Sequence, residues 1–133
     1  MILVDSSVWI DYFRGKRNPE EDYLDVLLGS EPLLTGDLIL TEVLQGFQKD
    51  ADFNEAKSLL SSLPMITLGG PDISVKAAEN FRMLRRKGVT VRKTIDTIIA
   101  TRCIEDEYQL LYSDRDFDAF AEHVGLRSAL PRR

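Results

Sequence analysis

The chain has 133 residues, of which 44% are hydrophobic, and it carries a formal net charge of −5. This length and composition predict one domain over residues 1–133, and the negative charge argues against a surface that coats nucleic acid over a wide area. The single cysteine, Cys103, excludes an internal disulfide and a zinc site of the Cys/His type, and we expect it in the core.

The first residues predict neither a secretory signal nor a membrane anchor. Met1 leads directly into an apolar strand, without the charged segment and longer apolar stretch of a signal peptide. Nowhere does the sequence approach the roughly 18 consecutive apolar residues that a membrane span needs. We therefore expect a cytoplasmic protein that does not associate with membranes.

Strand-like runs alternate with helical periodicities along the whole chain. In order, the first half is predicted to contain a strand over residues 1–4, a helix after Asp5, a helix over residues 20–29, a short strand at Leu33 and Leu34, and helices over residues 38–47 and 53–63. The second half is predicted to contain a strand over residues 65–70, a long helix that is capped by Asp72 and ends at Gly88, a helix over residues 94–107, a strand over residues 109–113, a short helix with Phe117 and Phe120, and an edge strand over residues 124–127. Because each helix must pack back on the sheet, this alternation predicts a three-layer α/β/α sandwich with a central, mostly parallel sheet.

Two of the predicted strands end in acids. Asp5 follows the apolar run MILV, and Asp114 follows QLLYS, with Asp116 two residues later. In open α/β sheets, ligands bind in the crevice outside the carboxyl ends of the strands. We therefore expect Asp5 and Asp114 to face a functional crevice.

Two further acids come early in predicted helices. Asp96 shares a helix face with the apolar residues Ile99, Ala100 and Cys103, where a solvated acid is out of place. Glu42 is placed in the first turn of its helix. Helix capping or the helix dipole explains each acid taken alone, but as a set they point to one crevice.

Several carboxylates in one crevice need a counter-charge. Two carboxylates about 5 Å apart repel each other by roughly 3 kcal/mol at an effective dielectric constant near 20. A shared proton offsets this repulsion for one pair, whereas a hard divalent cation such as Mg²⁺ neutralises three or four carboxylates. Such a cation orients water and neutralises charge that develops on a phosphodiester, so the acids predict phosphoester hydrolysis.

A basic segment comes directly before Asp96. Residues 81–93 contain six Arg and Lys residues and no acid, and Arg92 and Lys93 end the segment. We expect these two side chains at the rim of the acid cluster, in contact with the phosphates of a polyanionic substrate. The alternative is a solvated helix end, in which the basic residues only complement the helix dipole.

The acidic segments resemble the motifs of the PIN-domain nucleases, and in particular those of the VapC-type toxins of toxin–antitoxin pairs. The resembling segments are MILVDSSVWIDYF with Asp5, LTEVLQGF with Glu42, TIDTIIA with Asp96 and LLYSDRDF with Asp114. Taken with the residue patterns, the resemblance implies catalytic roles for Asp5, Glu42, Asp96 and Asp114, metal ligation by Asp5, Asp96, Asp114 and Asp116, and substrate-side positions for Ser7, Arg92 and Lys93. Ser7 also matches the polar residue that supports the first acid of the family.

The same resemblance implies an activity and partners. The implied activity is Mg²⁺-dependent endoribonuclease cleavage of cellular RNA, such as tRNA or rRNA, with Mn²⁺ as a possible substitute. A cognate VapB-type antitoxin neutralises the toxin, and the toxin forms a homodimer. The antitoxin would lie in a groove near the early helices, to which the apolar helices over residues 38–63 contribute, although core packing explains the same leucines.

Three other classes fit the sequence less well. A haloacid-dehalogenase-like phosphatase needs an Asp-x-Asp pair on its first strand, but Ser6 and Ser7 follow Asp5. A phosphoacceptor signalling domain needs an Asp after its third strand, which here ends in Gly69 and Gly70. The third alternative is a PIN-like module that binds RNA or protein without cutting, but such a module gains nothing from clustered negative charge facing phosphate.

Overall fold

Five short strands form one parallel sheet. The computed structural model describes residues 1–130, and its strands are β1 (Ile2–Val4), β2 (Leu33–Gly36), β3 (Met65–Ile66), β4 (Gln109–Leu111) and β5 (Arg127–Ser128). Their order across the sheet is β3-β2-β1-β4-β5, and every pairing is parallel. The parallel sheet predicted from the sequence is confirmed, while residues 131–133 of the predicted domain lie outside the described residues.

Helices connect successive strands on both sides of the sheet. They are α1 (Ser6–Phe13), α2 (Pro19–Leu27), α3 (Asp37–Leu44), α4 (Asp50–Ser61), α5 (Pro71–Arg86), α6 (Thr94–Glu105) and α7 (Asp118–His123), with a 3₁₀ turn over Arg115–Phe117. Helices α1 to α4 pack on one another, whereas α5 packs on α6, and α6 also contacts β4. This grouping gives the predicted three-layer sandwich. Throughout the described chain, no helix is long and apolar enough to cross a membrane.

The central strands are buried because helices cover both faces of the sheet. All residues of β1 and β2 are buried, as are Leu110 and Leu111 of β4. Such strands are expected to be continuously apolar rather than alternating, which is the pattern that MILV shows. Cys103 is also fully buried, as predicted. The buried core therefore extends to Val4, the residue that precedes Asp5.

The start of α5 differs from the prediction. Asp72 was the predicted cap, but the helix begins at Pro71 and its capping position is Gly70. Proline fits the first helical position because its fixed φ suits the helix and its missing N–H is not needed there. Gly70 has φ 103°, a left-handed conformation that glycine adopts at little cost. The predicted cap at Asp72 is therefore wrong by two residues.

The edge strand β3 is shorter than the six residues predicted. After two paired residues, the backbone N–H of Leu68 donates to Oδ1 of Asp37 at 3.0 Å. The side chain of Leu68 then packs against Gly36, where a Cβ atom would lie only 2.5 Å from it. A tertiary contact therefore ends the strand.

The last strand begins later than predicted. Its residues are Arg127 and Ser128 rather than residues 124–127. Helix α7 ends at His123, and Gly125 then turns the chain with φ 93° before it can pair with β4. The predicted edge position is correct, since β5 is the outermost strand beside β4.

Candidate metal centre

The candidate site lies where β1 and β4 end, next to each other in the sheet. The chain runs from β1 outward to β2 and β3 and then returns to β4 on the opposite side of β1. The backbone N–H of Asp5 donates to the carbonyl of Leu111 at 2.9 Å, which holds the two strand ends side by side. This reversal of strand order forms the crevice in which ligands bind in open α/β folds.

The two carboxylate oxygens of Asp5 have different surroundings. Oδ2 accepts hydrogen bonds from the backbone N–H of Ser7 at 3.1 Å and from its hydroxyl at 2.5 Å, and it thereby caps α1. Oδ1 is buried and finds no hydrogen-bond partner among residues 1–130. Burial of such an oxygen costs free energy unless it accepts a hydrogen bond or binds a cation. The capping role therefore uses one oxygen and leaves the other for a ligand.

Asp114 has a similar arrangement at the end of β4. Its Oδ1 accepts a hydrogen bond from the backbone N–H of Asp116 at 2.9 Å and caps the 3₁₀ turn. Its Oδ2 lies 3.5 Å from Nζ of Lys93. Asp116 forms an ion pair with Arg92, with 3.3 Å between Nη2 and Oδ2. Both basic residues that precede α6 thus contact acids at the end of β4.

Asp96 enters the same region from the first turn of α6. Its side chain is buried, and its Oδ2 has no hydrogen-bond partner in the part of the chain that the structure describes. Burial and the nearby carboxylate of Asp5 raise the pKa of Asp96 to about 7, although Lys93 opposes this effect. The carboxylates of Asp114 and Glu42 raise it as well. The ionised form of Asp96 is therefore destabilised by its surroundings, and positive charge nearby stabilises it.

Glu42 reaches the cluster from α3, later in the helix than predicted. Because α3 begins at Asp37, directly after β2, Glu42 lies in the second turn and the predicted first-turn position is wrong. Its Oε1 accepts a hydrogen bond from the hydroxyl of Ser6 at 2.7 Å. Its charge raises the pKa of Asp5, so the two carboxylates are close. The sequence analysis did not predict a role for Ser6. The only sequence signal for Ser6 is its position directly after Asp5.

Replacing Ser7 by Ala is expected to raise the pKa of Asp5. Burial already raises that pKa to about 6, and the Ser7 hydroxyl lowers it by donating to the charged carboxylate. Loss of a hydrogen bond worth about 1 kcal/mol raises a pKa by roughly 0.5–1 pH unit. A ¹³C NMR titration of the Asp5 carboxyl measures the change. Ser6→Ala is the matched control, because that hydroxyl binds Glu42, and an equal pKa of Asp5 in both variants contradicts the assignment.

Three acids lie close enough to share one cation. One carboxylate oxygen each from Asp96, Asp114 and Asp116 lies within 4.8 Å of the others. Asp5, also predicted as a ligand, is outside this group of three but interacts electrostatically with Asp96. Asp5 and Asp96 each have a buried oxygen without a hydrogen-bond partner among the described residues. These oxygens and the excess of negative charge fit a hard divalent cation, which prefers oxygen ligands.

Comparison with known proteins agrees with this geometry. The sequence model of the PIN domain family matches residues 2–123. The chain belongs to the PIN domain family. Over 131 residues it is 30% identical to VapC ribonuclease Mb1587 of Mycobacterium bovis and to Ribonuclease VapC11 of Mycobacterium tuberculosis. These alignments cover 97% of this PIN domain and 98% of each relative.

Solved structures share the PIN fold at low sequence identity. The structure of VapBC2 from Rickettsia felis, bound to a DNA fragment from its promoter, gives a TM-score of 0.72 at 17% identity, covering 96% of this chain and 97% of the other. VapC20 of Mycobacterium tuberculosis, described as a Sarcin-Ricin loop cleaving toxin, gives 0.71 at 18% identity and covers 98% of this chain and 100% of its own. These likenesses show the fold alone.

The PIN fold brings the predicted acids and basic residues into one site. The four acids predicted to be catalytic interact electrostatically, while Arg92 and Lys93 pair with Asp116 and Asp114. Ser7 contacts Asp5, the acid that it is predicted to support. The catalytic, metal-binding and substrate-binding roles of these residues stay predictions.

Proposed function

We propose that this PIN domain is a metal-dependent endoribonuclease, the toxin of a type II toxin–antitoxin system. One observation carries the proposal: four acids from four different segments meet at one edge of the sheet, and Asp5 and Asp96 each have a buried oxygen without a hydrogen-bond partner among residues 1–130. The similarity to VapC ribonucleases over nearly the whole chain supports RNA as the substrate.

The acids have different roles in this proposal. Asp5, Asp96, Asp114 and Asp116 hold Mg²⁺, or Mn²⁺ in its place. When bound, the cation supplies a Lewis acid that lowers the pKa of water and neutralises charge developing on the phosphodiester. Ser7 orients Asp5, and Glu42, which is held by Ser6, positions the attacking water. Because burial raises the pKa of Asp5 and Asp96, protons compete with the cation for these carboxylates, and binding of the cation releases them.

Changing Lys93 to Ala is expected to weaken RNA binding, most strongly at low salt. Its side chain is 58% exposed at the rim of the acid cluster, within reach of a backbone phosphate. The logarithm of the binding constant falls linearly with the logarithm of the salt concentration, and loss of one phosphate contact reduces the magnitude of this slope by about one. Fluorescence anisotropy with a short RNA measures both quantities, and Arg92→Ala is expected to behave alike. Lys57→Ala, on the exposed face of α4, is the control; equal affinities contradict the role.

We also propose that a VapB-type antitoxin binds this PIN domain. A groove with a volume of about 430 Å³ lies between α1, α3 and α4, and Ile10, Phe13, Val43 and Phe47 contribute to its lining. Charged residues, among them Arg14, Lys49 and Asp52, also line the groove, so it suits an amphipathic partner helix. Structures of similar fold include VapBC2 of Rickettsia felis and a toxin–antitoxin complex from Klebsiella pneumoniae. Homodimer formation and a cytoplasmic location stay predictions from the sequence.

Induced expression without a partner tests the proposed function. We expect growth arrest and new, discrete RNA 5′ ends after induction of the wild-type chain, and neither effect after induction of Asp5→Asn at equal protein level. Arrest without new RNA ends contradicts the nuclease proposal and favours a passive binder. Mapping the ends also identifies the RNA, which distinguishes tRNA from rRNA.

A further inference from the structure

Arg92 and Lys93 contact the same carboxylates that are proposed to hold the cation. Nε and Nη2 of Arg92 lie 3.3 Å from Oδ2 of Asp116, and Nη2 is also 3.4 Å from Oδ1. Nζ of Lys93 lies 3.5 Å from Oδ2 of Asp114, whose Oδ1 accepts the backbone N–H of Asp116. Every carboxylate oxygen of Asp114 and Asp116 therefore has a partner within the protein.

A divalent cation at this site competes with these two side chains. One oxygen each of Asp96, Asp114 and Asp116 lies within 4.8 Å of the others, and the basic groups of Arg92 and Lys93 contact oxygens of two of these acids. Like charges this close repel each other. The two basic side chains can move away from the acids without disturbing the core, because the side chain of Arg92 is 76% exposed and that of Lys93 is 58% exposed.

We infer that Arg92 and Lys93 are built-in counter-ions, which a divalent cation displaces from Asp116 and Asp114. The inference rests on the cation site of the proposed function and adds a role for residues expected only to bind RNA. Because the cation must first break these two ion pairs, its affinity for the site is lowered. Its binding also frees the side chains of Arg92 and Lys93 from their carboxylates. The released groups then face the position at which a phosphate of the substrate is expected.

A double-mutant cycle on Mn²⁺ binding tests the inference. The four proteins are the wild type, Arg92→Gln, Asp116→Asn and the double variant, and the dissociation constant is measured at low ionic strength from the EPR signal of free Mn²⁺. We expect Arg92→Gln to tighten Mn²⁺ binding by about two- to fivefold when Asp116 is present, the range of an exposed ion pair. In the Asp116→Asn background we expect the same change to have no effect, because the shared carboxylate is lost.

Arg82→Gln is the matched control for charge alone. Arg82 is exposed on α5, and none of the residues that the structure describes forms an ion pair with it. If Arg82→Gln tightens Mn²⁺ binding as much as Arg92→Gln, or if Arg92→Gln has equal effects in both Asp116 backgrounds, long-range charge explains the data and the inference is wrong. Intact Mn²⁺ binding without coupling contradicts the inference alone. Absence of Mn²⁺ binding to the wild type contradicts both the inference and the metal dependence of the proposed function.

Discussion

Replacing Asp96 by Asn is expected to abolish RNA cleavage and, in the absence of divalent cations, to stabilise the fold at pH 8. Loss of this carboxylate removes a proposed metal ligand, and cleavage should fall by about 100-fold or more. The same carboxylate is buried beside Asp5, and the pKa of Asp96 is raised to about 7 from its ordinary value of 3.8. Its ionisation at pH 8 therefore destabilises the folded state, by about 1–3 kcal/mol, and Asn removes that cost.

Urea unfolding in EDTA and cleavage of total RNA in Mg²⁺ measure the two effects on the same preparation. Asp72→Asn is the matched control, because Asp72 also lies in the first turn of a helix but is exposed. We expect it to leave cleavage unchanged. An Asp96→Asn protein that is folded and cleaves RNA at the wild-type rate contradicts the assignment of this residue to the metal site.

Mg²⁺ is expected to stabilise the protein at pH 8 and to have little effect at pH 5. The pKa values of Asp5 and Asp96 are raised to about 6 and 7, so the folded state holds more protons than the unfolded state between about pH 4 and pH 7. Their contribution to stability therefore decreases as the pH rises, by up to about 1.4 kcal/mol per pH unit for each group. A cation replaces these protons at pH 8, whereas at pH 5 it must compete with them.

Thermal unfolding with Mg²⁺ or with EDTA, at both pH values, measures this linkage. At a Mg²⁺ concentration about 100 times the dissociation constant, binding adds roughly 2.7 kcal/mol to the free energy of unfolding. The Asp5→Asn variant serves as the control, because it lacks one of the proposed ligands and should show a reduced effect. A larger increase in melting temperature at pH 5 than at pH 8 contradicts the proposed site.

The sequence predicts the sheet and its acids because local patterns report them directly. MILV and QLLYS are apolar runs that end in Asp5 and Asp114, and a parallel sheet brings the ends of such strands to one edge. The apolar face around Asp96 similarly predicts its burial, which the structure confirms at 5% exposure. These features depend on apolar runs, parallel strand direction and helix period rather than on contacts between distant side chains.

Other features depend on contacts that no local pattern encodes. The hydrogen bond from Ser6 to Glu42 joins residues 36 positions apart, and the ion pair of Arg92 with Asp116 spans 24. The short β3 strand results from the contact between Leu68 and Asp37, which lie 31 positions apart. Tertiary packing therefore decides where strands end and which oxygens of the acids remain unpaired.

Cleavage of RNA by the purified protein tests the central claim most directly. The wild-type chain and Asp5→Asn are purified in parallel, treated with EDTA and incubated with cellular RNA before and after addition of Mg²⁺, and the 5′ ends of the products are mapped. We predict discrete cleavage only by the wild-type chain and only after Mg²⁺ is added. Cleavage that persists in EDTA, or equal cleavage by folded Asp5→Asn, contradicts a metal-dependent nuclease centred on these acids.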